Sequence, residues 1–484
     1  MSTTVMELAP PELIAKYEPV IGLEVHVQLG TRTKIFCGCP MSFGAPPNTN
    51  VCPVCLGLPG ALPVLNREAV ELALKACMAV NCSIRPLSRF ARKNYFYPDL
   101  PKGYQISMYD EPLAEHGRVD VVIDGDRKRI GITRIHMEDD AGKSQHEGFR
   151  DSDRYTYVDL NRCGAPLIEI VSEPDMRSSD EAFAYLTELK QTLQFVEVST
   201  CDMEKGHLRC DANVSVRLKG TEKFGTRTET KNLNSFRFLK QAIEYEIARQ
   251  VAVIEGGGKI HQETRLFDSE TGETHSMRSK EDAHDYRYFP EPDLVPLRVS
   301  EKWLAEARAT MPELPAAKRE RFVQVYGLRE YDAEVLTSTR AMAEYYEIVA
   351  EVSQDPKIAA NWVIGQGTEV AESNLPARHL GELVGMIVKG ELTGKLAKEV
   401  LPKMLETGDP PSAIVEREGL KQISDTGALQ RIIDEVLIAN PKQVEQYKGG
   451  KTTVIGFLVG QVMKASRGQA NPAAVNDLLK SKLS

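Results

Sequence analysis

Ile21-Gly22-Leu23-Glu24-Val25-His26-Val27-Gln28-Leu29 alternates without interruption: every odd position is apolar, and Glu24, His26 and Gln28 share the other side. Successive side chains of a β-strand point to opposite faces, so this stretch predicts a strand with one face made for a core. The other face carries a carboxylate, an imidazole and an amide. Same-face neighbours lie about 6.6 Å apart along a strand, two rises of ~3.3 Å. From that separation flexible side chains converge on one ion or one substrate group. A plain exposed strand face satisfies the same pattern.

The pattern recurs. Ile130–Glu138 carries Arg134, His136 and Glu138 on one face. In the stretch 207–218, Leu208, Cys210, Ala212, Val214, Val216 and Leu218 point one way, and His207, Arg209, Asp211, Asn213, Ser215 and Arg217 the other. Leu167-Ile168-Glu169-Ile170-Val171 sets a carboxylate between isoleucines, where an unpaired buried charge is costly. An ion bridge answers that cost structurally; a metal ligand or substrate-handling group answers it functionally. Several acidic strand faces together suit an oxygen-rich magnesium site, provided the faces meet.

Further strands are predicted at Val20–Leu29 and Val119–Asp124, with Asp124-Gly125 as the turn before Ile130–Glu138. Asn66 is placed to cap a helix running to Val80, and Ser178 or Ser179 to open another whose apolar stripe is Phe183, Leu186, Leu189 and Leu193. Strands and helices without regular βαβ alternation predict an α+β fold: a cradle-like N-terminal domain with an antiparallel or mixed sheet, then all-α segments. The breaker cluster Tyr288-Phe289-Pro290-Glu291-Pro292 and the break at Gly408-Asp409-Pro410-Pro411 divide the 484 residues into an extension (1–18), a β-rich domain (19–294), a helical domain (295–410) and a helical tail (411–484).

Nine cysteines, and a start that lacks the basic-then-apolar order of a secretory signal, argue against a disulfide framework. No apolar run reaches the roughly 20 residues needed to span a bilayer, and the chain is read as cytoplasmic. Cys37-Gly38-Cys39 followed by Cys52-Pro53-Val54-Cys55 offers two close thiolate pairs, the donor set of a tetrahedral zinc site with no open vertex. Redox pairing is the other reading. Ala141-Gly142-Lys143-Ser144 imitates the end of a phosphate-binding loop, but Met137 stands where the first glycine belongs and the acidic lead-in would repel phosphate. The Gly456/Gly460 pair is read as a site of close helix packing.

The net charge of −9 leaves no global basic field, so nucleic-acid binding needs a local patch. Residues 441–484 hold seven Lys/Arg, among them Lys448, Lys451, Lys464 and Arg467, against Glu445 and Asp477. A solvated helical surface and a polyanion contact both fit. Arg92-Lys93-Asn94-Tyr95-Phe96-Tyr97-Pro98 and Tyr286-Arg287-Tyr288-Phe289 mix cations with rings. Such segments suit base stacking, Tyr95 and Tyr97 above all, or loop packing.

Read in order, these strings closely resemble the B subunit of the bacterial and organellar aspartyl/glutamyl-tRNA amidotransferases, the GatB family. The resemblance runs through Val20–Val27, Arg92–Pro98, His136–Ser144, Val158–Arg162, Pro166–Asp175, Leu208–Asn213, Lys231–Phe236 and Gly456–Ala465. It covers all but the first ~18 residues and implies a cradle kinase domain, a helical domain and a YqeY-like tail that holds tRNA. It implies ATP-dependent phosphorylation of the side-chain carboxylate of Glu-tRNA(Gln) or Asp-tRNA(Asn), then displacement of phosphate by ammonia. Its magnesium site falls on Glu24, His26, Glu138 and Glu169, to which the strand face adds Asp211; its zinc cysteines are Cys37, Cys39, Cys52 and Cys55. Glu24, His26, Glu138 and Lys143 are the catalytic candidates, Lys143 as a contact to ATP phosphates. No amidase-like nucleophile segment is evident, so ammonia is expected from an amidase-type A subunit, with a small C subunit completing a heterotrimer and the matching aminoacyl-tRNA synthetase as a further partner. A zinc-containing RNA-binding module without catalysis leaves the acidic faces without work; a small-molecule ligase leaves the basic tail without work.

Overall fold

The computed structural model describes residues 8–146, 148–279, 286–420, 426–466 and 468–483. Internal contacts divide the chain into two units, Met1–Leu314 and Pro315–Ser484. The first is built on a nine-stranded sheet. In chain order its strands are β1 (Tyr17–Gln28), β2 (Ser83–Ile84), β3 (Ala114–Ile123), β4 (Asp126–Asp139), β5 (Pro166–Ser172), β6 (Leu208–Leu218), β7 (Thr228–Lys231), β8 (Glu263–Phe267) and β9 (Thr274–Ser279). Their order across the sheet is β9-β8-β7-β6-β1-β5-β4-β3-β2. Every neighbouring pair is antiparallel except β7 and β8, so the sheet is mixed and the α+β expectation holds.

Alternation decides what each face does. Ile21, Leu23, Val25 and Val27 of β1, Ile168 and Ile170 of β5, and Ile135 and Met137 of β4 are all buried on one face. Helices Ser179–Phe195 and Phe236–Glu255 cover that face. Asp124 (φ 51°) and Gly125 (φ 89°) make the two-residue turn between β3 and β4, with Ile123 paired to Asp126. Two positive φ values suit the turn that matches strand twist. Asn66 and Ser178 cap helices Arg67–Ala79 and Ser179–Phe195 by accepting from the backbone N–H of Glu68 and Glu181. One expectation for the second helix fails. Phe183 is exposed and meets Phe236 edge-on at 5.6 Å, while Ala182 and Tyr185 join Leu186, Leu189 and Leu193 on the buried side.

Behind the sheet, Glu246 is fully buried on helix Phe236–Glu255. Its carboxylate accepts from Arg249 (2.9 and 2.8 Å) and Thr228 (2.8 Å), takes a further hydrogen bond from Thr274, and pairs with Arg265 at 3.0 Å. Burial alone would raise its pKa, but the two guanidiniums and the hydroxyls outweigh it and hold the pKa below the ordinary value. A depressed carboxylate contributes stability that is present above its unfolded pKa and lost as pH falls through the folded one. Glu246→Gln is therefore expected to cost about 3–5 kcal/mol at pH 7, the usual loss when one partner of a buried pair is removed. Denaturant unfolding of this unit measures it, and the deficit should shrink as pH drops below about 4.5.

The segment 295–314 stays with the first unit. Helix Glu301–Ala309 lies against Arg67–Ala79, with the Arg67 guanidinium 5.3 Å from the Trp303 ring centre and Trp303 Nε1 donating to Glu71 (3.4 Å).

The second unit is helical and holds two separate apolar clusters. One gathers helices between Pro315 and Glu418 around Phe322, Leu336, Tyr346, Val349, Leu380 and Met404. The other gathers Thr426–Ala439, Ile455–Ala465 and Pro472–Leu483 around Leu429, Ile433, Leu458, Val462 and Leu479. The expected close packing at Gly456 and Gly460 does not occur: a Cβ at either would meet nothing within 4 Å. Leu458 and Val462 make the buried contacts instead, and both glycines are exposed. Among the described residues no helix is long and apolar enough to cross a membrane.

Candidate active site

Register brings the polar faces together on the side of the sheet away from the helices. His26 on β1 lies opposite Glu169 on β5, which lies opposite His136 on β4; on the other flank His26 lies opposite Arg209 of β6. One row across four strands therefore reads His136, Glu169, His26, Arg209. Glu138 reaches into it from two residues further along β4. His26 Nε2 is 3.6 Å from Glu138 Oε1 and 3.4 Å from Glu169 Oε2, and His136 Nε2 is 3.7 Å from Glu138 Oε2 and 3.4 Å from the same Glu169 oxygen. The four side chains form a closed ring of alternating carboxylates and imidazoles.

Charge balance explains the ring. Burial opposes ionisation of every member, yet each carboxylate stabilises the neighbouring imidazolium and the reverse. Burial notwithstanding, Glu169 and Glu138 push His136 up to about 9 and raise His26. The imidazoles in turn hold both carboxyls below their usual range, Glu169 most of all. Imidazole and carboxylate thus offset one another's charge around the ring. A divalent cation would balance the same charge, because metal binding displaces protons from its ligands. His26, Glu138 and Glu169 can present one ligand atom each within 4.8 Å of one another, two oxygens and a nitrogen, a donor set that suits a hard cation.

The expected residues divide between two rows. Glu24 and Asp211 lie opposite each other in the adjoining row and stay outside the three-ligand group. Glu24 Oε1 accepts from Asn213 Nδ2 at 3.0 Å, and burial, then Glu169, Glu229 and Asp211, raise its pKa. Asp211 is held by Lys231 Nζ at 2.5 Å. Lys143 stands exposed on a short ribbon pairing Lys143–Gln145 with Tyr157–Asp159, and does not line the cleft over the ring.

That cleft, about 430 Å³, is lined by His26 and Glu138 together with Lys93, Tyr95, Arg162, Arg209 and Lys231. The cations were visible in the sequence but carried no assignment, because alternation names a face and not what stands over it. Asp140 orients two of them: Arg209 Nη2 donates to Asp140 Oδ2 (2.6 Å), and Arg162 Nε is 3.4 Å from the same oxygen. Burial would raise the Asp140 pKa, but these guanidiniums hold it down. Lys93 stays charged despite burial because Glu138 and Glu169 favour its ammonium form.

A second cluster joins Cys37, Cys39, Cys52 and Cys55, whose sulfurs lie within 4.8 Å of one another. Lys34, wholly buried, donates from Nζ to Asn50 O (2.8 Å) and to Cys55 Sγ (3.5 Å). The hydrogen bond between Cys37 and Cys55 lowers the Cys55 thiol to about 4 and raises that of Cys37, so the pair keeps its negative charge on Cys55. Four sulfurs beside a buried ammonium fit zinc. Of the other cysteines, Cys77, Cys163, Cys201 and Cys210 are buried, and Cys82 is half-buried.

Tyr97 is exposed and contacts Tyr95, which borders the cleft. Lys448, Lys451 and Lys464 are all exposed, Lys448 and Lys464 on tail helices and Lys451 in the connection between them, with Lys464 one turn beyond Gly460. Arg467 lies outside the described residues.

A carboxylate–imidazole ring in a cleft lined with cations, on a mixed sheet followed by helices, defines a charge-handling catalytic domain joined to a helical module. Residues 19–305 match the family model of the GatB/GatE catalytic domain, and residues 344–483 match that of the GatB domain. The chain belongs to the GatB family. It is 58% identical over 475 residues to the B subunit of the aspartyl/glutamyl-tRNA(Asn/Gln) amidotransferase of Geobacter sulfurreducens, covering 96% of this chain and 99% of that one. The corresponding B subunits of Carboxydothermus hydrogenoformans and Persephonella marina are 55% and 54% identical, over 97% of this chain and 99% and 100% of theirs.

Proposed function

We propose that this chain is the carboxyl-activating B subunit of a tRNA-dependent amidotransferase, acting on Glu-tRNA(Gln), Asp-tRNA(Asn) or both. The observation that carries the reading is the ring of His26, Glu138, His136 and Glu169 in a cleft that Lys93, Arg162, Arg209 and Lys231 also line. A non-catalytic RNA-binding surface has no use for buried carboxylates at the floor of a cationic cleft.

The chemistry follows from a weak leaving group. A carboxylate oxygen is not displaced by ammonia, whereas phosphate is. Transfer of the γ-phosphoryl group of ATP to the side-chain carboxylate forms the mixed anhydride and releases ADP; ammonia then adds to the acyl carbon, phosphate departs, and a proton is lost. Magnesium held by His26, Glu138 and Glu169 would neutralise phosphate charge during transfer. His136 braces both carboxylates, and Glu24 and Asp211 supply a further acidic row beside them. Lys93, Lys231 and Arg209 bind phosphate or carboxylate oxygens, with Asp140 aiming Arg209. Ammonia comes from an amidase-type A subunit, a small C subunit completes the heterotrimer, and the matching synthetase supplies the charged tRNA. Tyr95, Tyr97, Lys448, Lys451, Lys464 and Arg467 are proposed tRNA contacts.

Phosphate release from ATP measured with mischarged tRNA, with free glutamate and without acceptor tests this function. Release should require charged tRNA; equal release with free glutamate would make the protein a small-molecule ligase.

Zinc at Cys37, Cys39, Cys52 and Cys55 is proposed to fold the surrounding loop and take no part in transfer. Chelation is expected to remove one zinc per chain and open new proteolytic cuts between residues 37 and 62, with the far-ultraviolet dichroism of the sheet retained. A chain free of zinc yet equally resistant to protease would contradict that role.

A further inference from the structure

Five tyrosines from three separate segments make a continuous row of rings. Tyr97 meets Tyr95 at 6.0 Å, Tyr95 meets Tyr286 at 6.1 Å, and Tyr286 meets Tyr288 at 6.0 Å, all edge-on. Tyr288 then stacks on Tyr109 at 4.1 Å with only 8° between the planes. Both ends are open: Tyr97 is 61% and Tyr109 52% exposed. The three rings between them, Tyr95, Tyr286 and Tyr288, are half-buried, so the row opens to water at its ends and borders the cleft at Tyr95.

The row is held in place by polar groups. Asn94 donates its backbone N–H to Tyr286 O (2.9 Å), and its amide to Tyr286 O (3.1 Å) and Arg287 O (2.9 Å), which locks the two tyrosine segments side by side. Arg92 makes a two-pronged bond to buried Glu291 (2.8 and 2.9 Å) just beyond them. Arg287 between Tyr286 and Tyr288 sits at φ 43°, in the left-handed region. Lys93 lies 5.0 Å from the Tyr286 ring centre and 5.9 Å from that of Tyr95, placing one cation over the middle of the row and at the edge of the cleft.

We propose that this row is a stacking track for the single-stranded 3′ end of the charged tRNA, leading its aminoacyl group to the carboxylate–imidazole ring; the proposal rests on the function given above. Open aromatic faces with an adjacent cation take unpaired bases and their phosphates, and a base-paired stem offers no free base faces to them. A charged tRNA must bring its esterified amino acid to His26 and Glu138, so the nucleotides next to that ester lie at the mouth of the same cleft. The Tyr109–Tyr288 pair extends the surface beyond the segment that carries Tyr95 and Tyr97.

The test uses the assembled enzyme and charged tRNA bearing 2-aminopurine as its last base, whose fluorescence falls when the base stacks on a ring. Binding should quench the probe with the native enzyme and with Tyr288→Phe. Tyr109→Ala and Tyr288→Ala should lose the quench and raise KM for charged tRNA roughly tenfold, with kcat changed less than twofold. Tyr109 is half exposed, so its variant reads out the track without loss of a core residue. Native quench and native KM in both alanine variants would overturn the track. Phosphate release dependent on charged tRNA but no quench at all would overturn it while leaving the function standing. Release independent of charged tRNA would overturn the function itself.

Discussion

Glu138→Gln is expected to lower charged-tRNA-dependent phosphate release by roughly 10²–10³-fold, the scale of removing one preorganised charge-stabilising group. Glutamine keeps the shape and can still accept from Ser107 Oγ, which donates to Glu138 Oε2 at 3.2 Å. What disappears is one of the two charges that hold His26 and His136, and with it a ligand oxygen facing His26 and Glu169. Affinity for tRNA should stay within twofold, because the carboxylate sits at the floor of the cleft. Parallel assays of phosphate release and filter binding separate the two, and magnesium titration should show a weakened response. Equal loss of both activities would point to damaged folding and remove Glu138 from the transfer chemistry.

The second large effect lies at the other end of the chain. Ending the chain after Leu420 removes the cluster built on Leu429, Ile433, Leu458 and Val462 and keeps the apolar side chains of the cluster that runs from Phe322 to Val415, at the cost of the hydrogen bonds from Thr393 Oγ1 to Gly468 O (3.2 Å) and from Gln469 Nε2 to Gly419 O (2.8 Å). It also removes Lys448, Lys451 and Lys464, all exposed. If each contacts one phosphate, the slope of log affinity against log salt should fall by about two to three, at ~0.7–0.9 per contact. Affinity near 0.1 M salt should drop roughly 10- to 100-fold. The exposed Gly456 and Gly460, in line with Lys464, leave room for a backbone to approach that face. Unchanged affinity and slope would exclude the tail from recognition.

Much of this was legible in the sequence, and the limits are physical. Alternation in Ile21–Leu29 assigned Glu24 and His26 to one face because the period of a strand is local. It could not rank them: His26 joins the ring because β5 pairs with β1 so that Glu169 stands opposite, and register is a long-range property. His136 shares a face with Glu138 in plain view, yet only the pairing with Glu169 shows that it closes the ring. The four cysteines were readable from spacing, since two close pairs define the donor set. Phe183 fits a helical stripe by period, but the sheet beneath the helix takes Tyr185 instead, which no local pattern states. Gly456 and Gly460 imitate a packing motif, but among the described residues nothing lies within 4 Å of a Cβ at either.

The most direct measurement of the central claim traps the activated carboxyl. With the native enzyme, ATP and magnesium, mischarged tRNA and hydroxylamine in place of an amide donor, the side-chain carboxyl should be recovered as its hydroxamate on the tRNA-borne amino acid, and Glu138→Gln should suppress it. Free glutamate should yield none. Hydroxamate formed equally from free glutamate, or amidation proceeding with no trappable hydroxamate on the tRNA, would contradict carboxyl phosphorylation in this cleft.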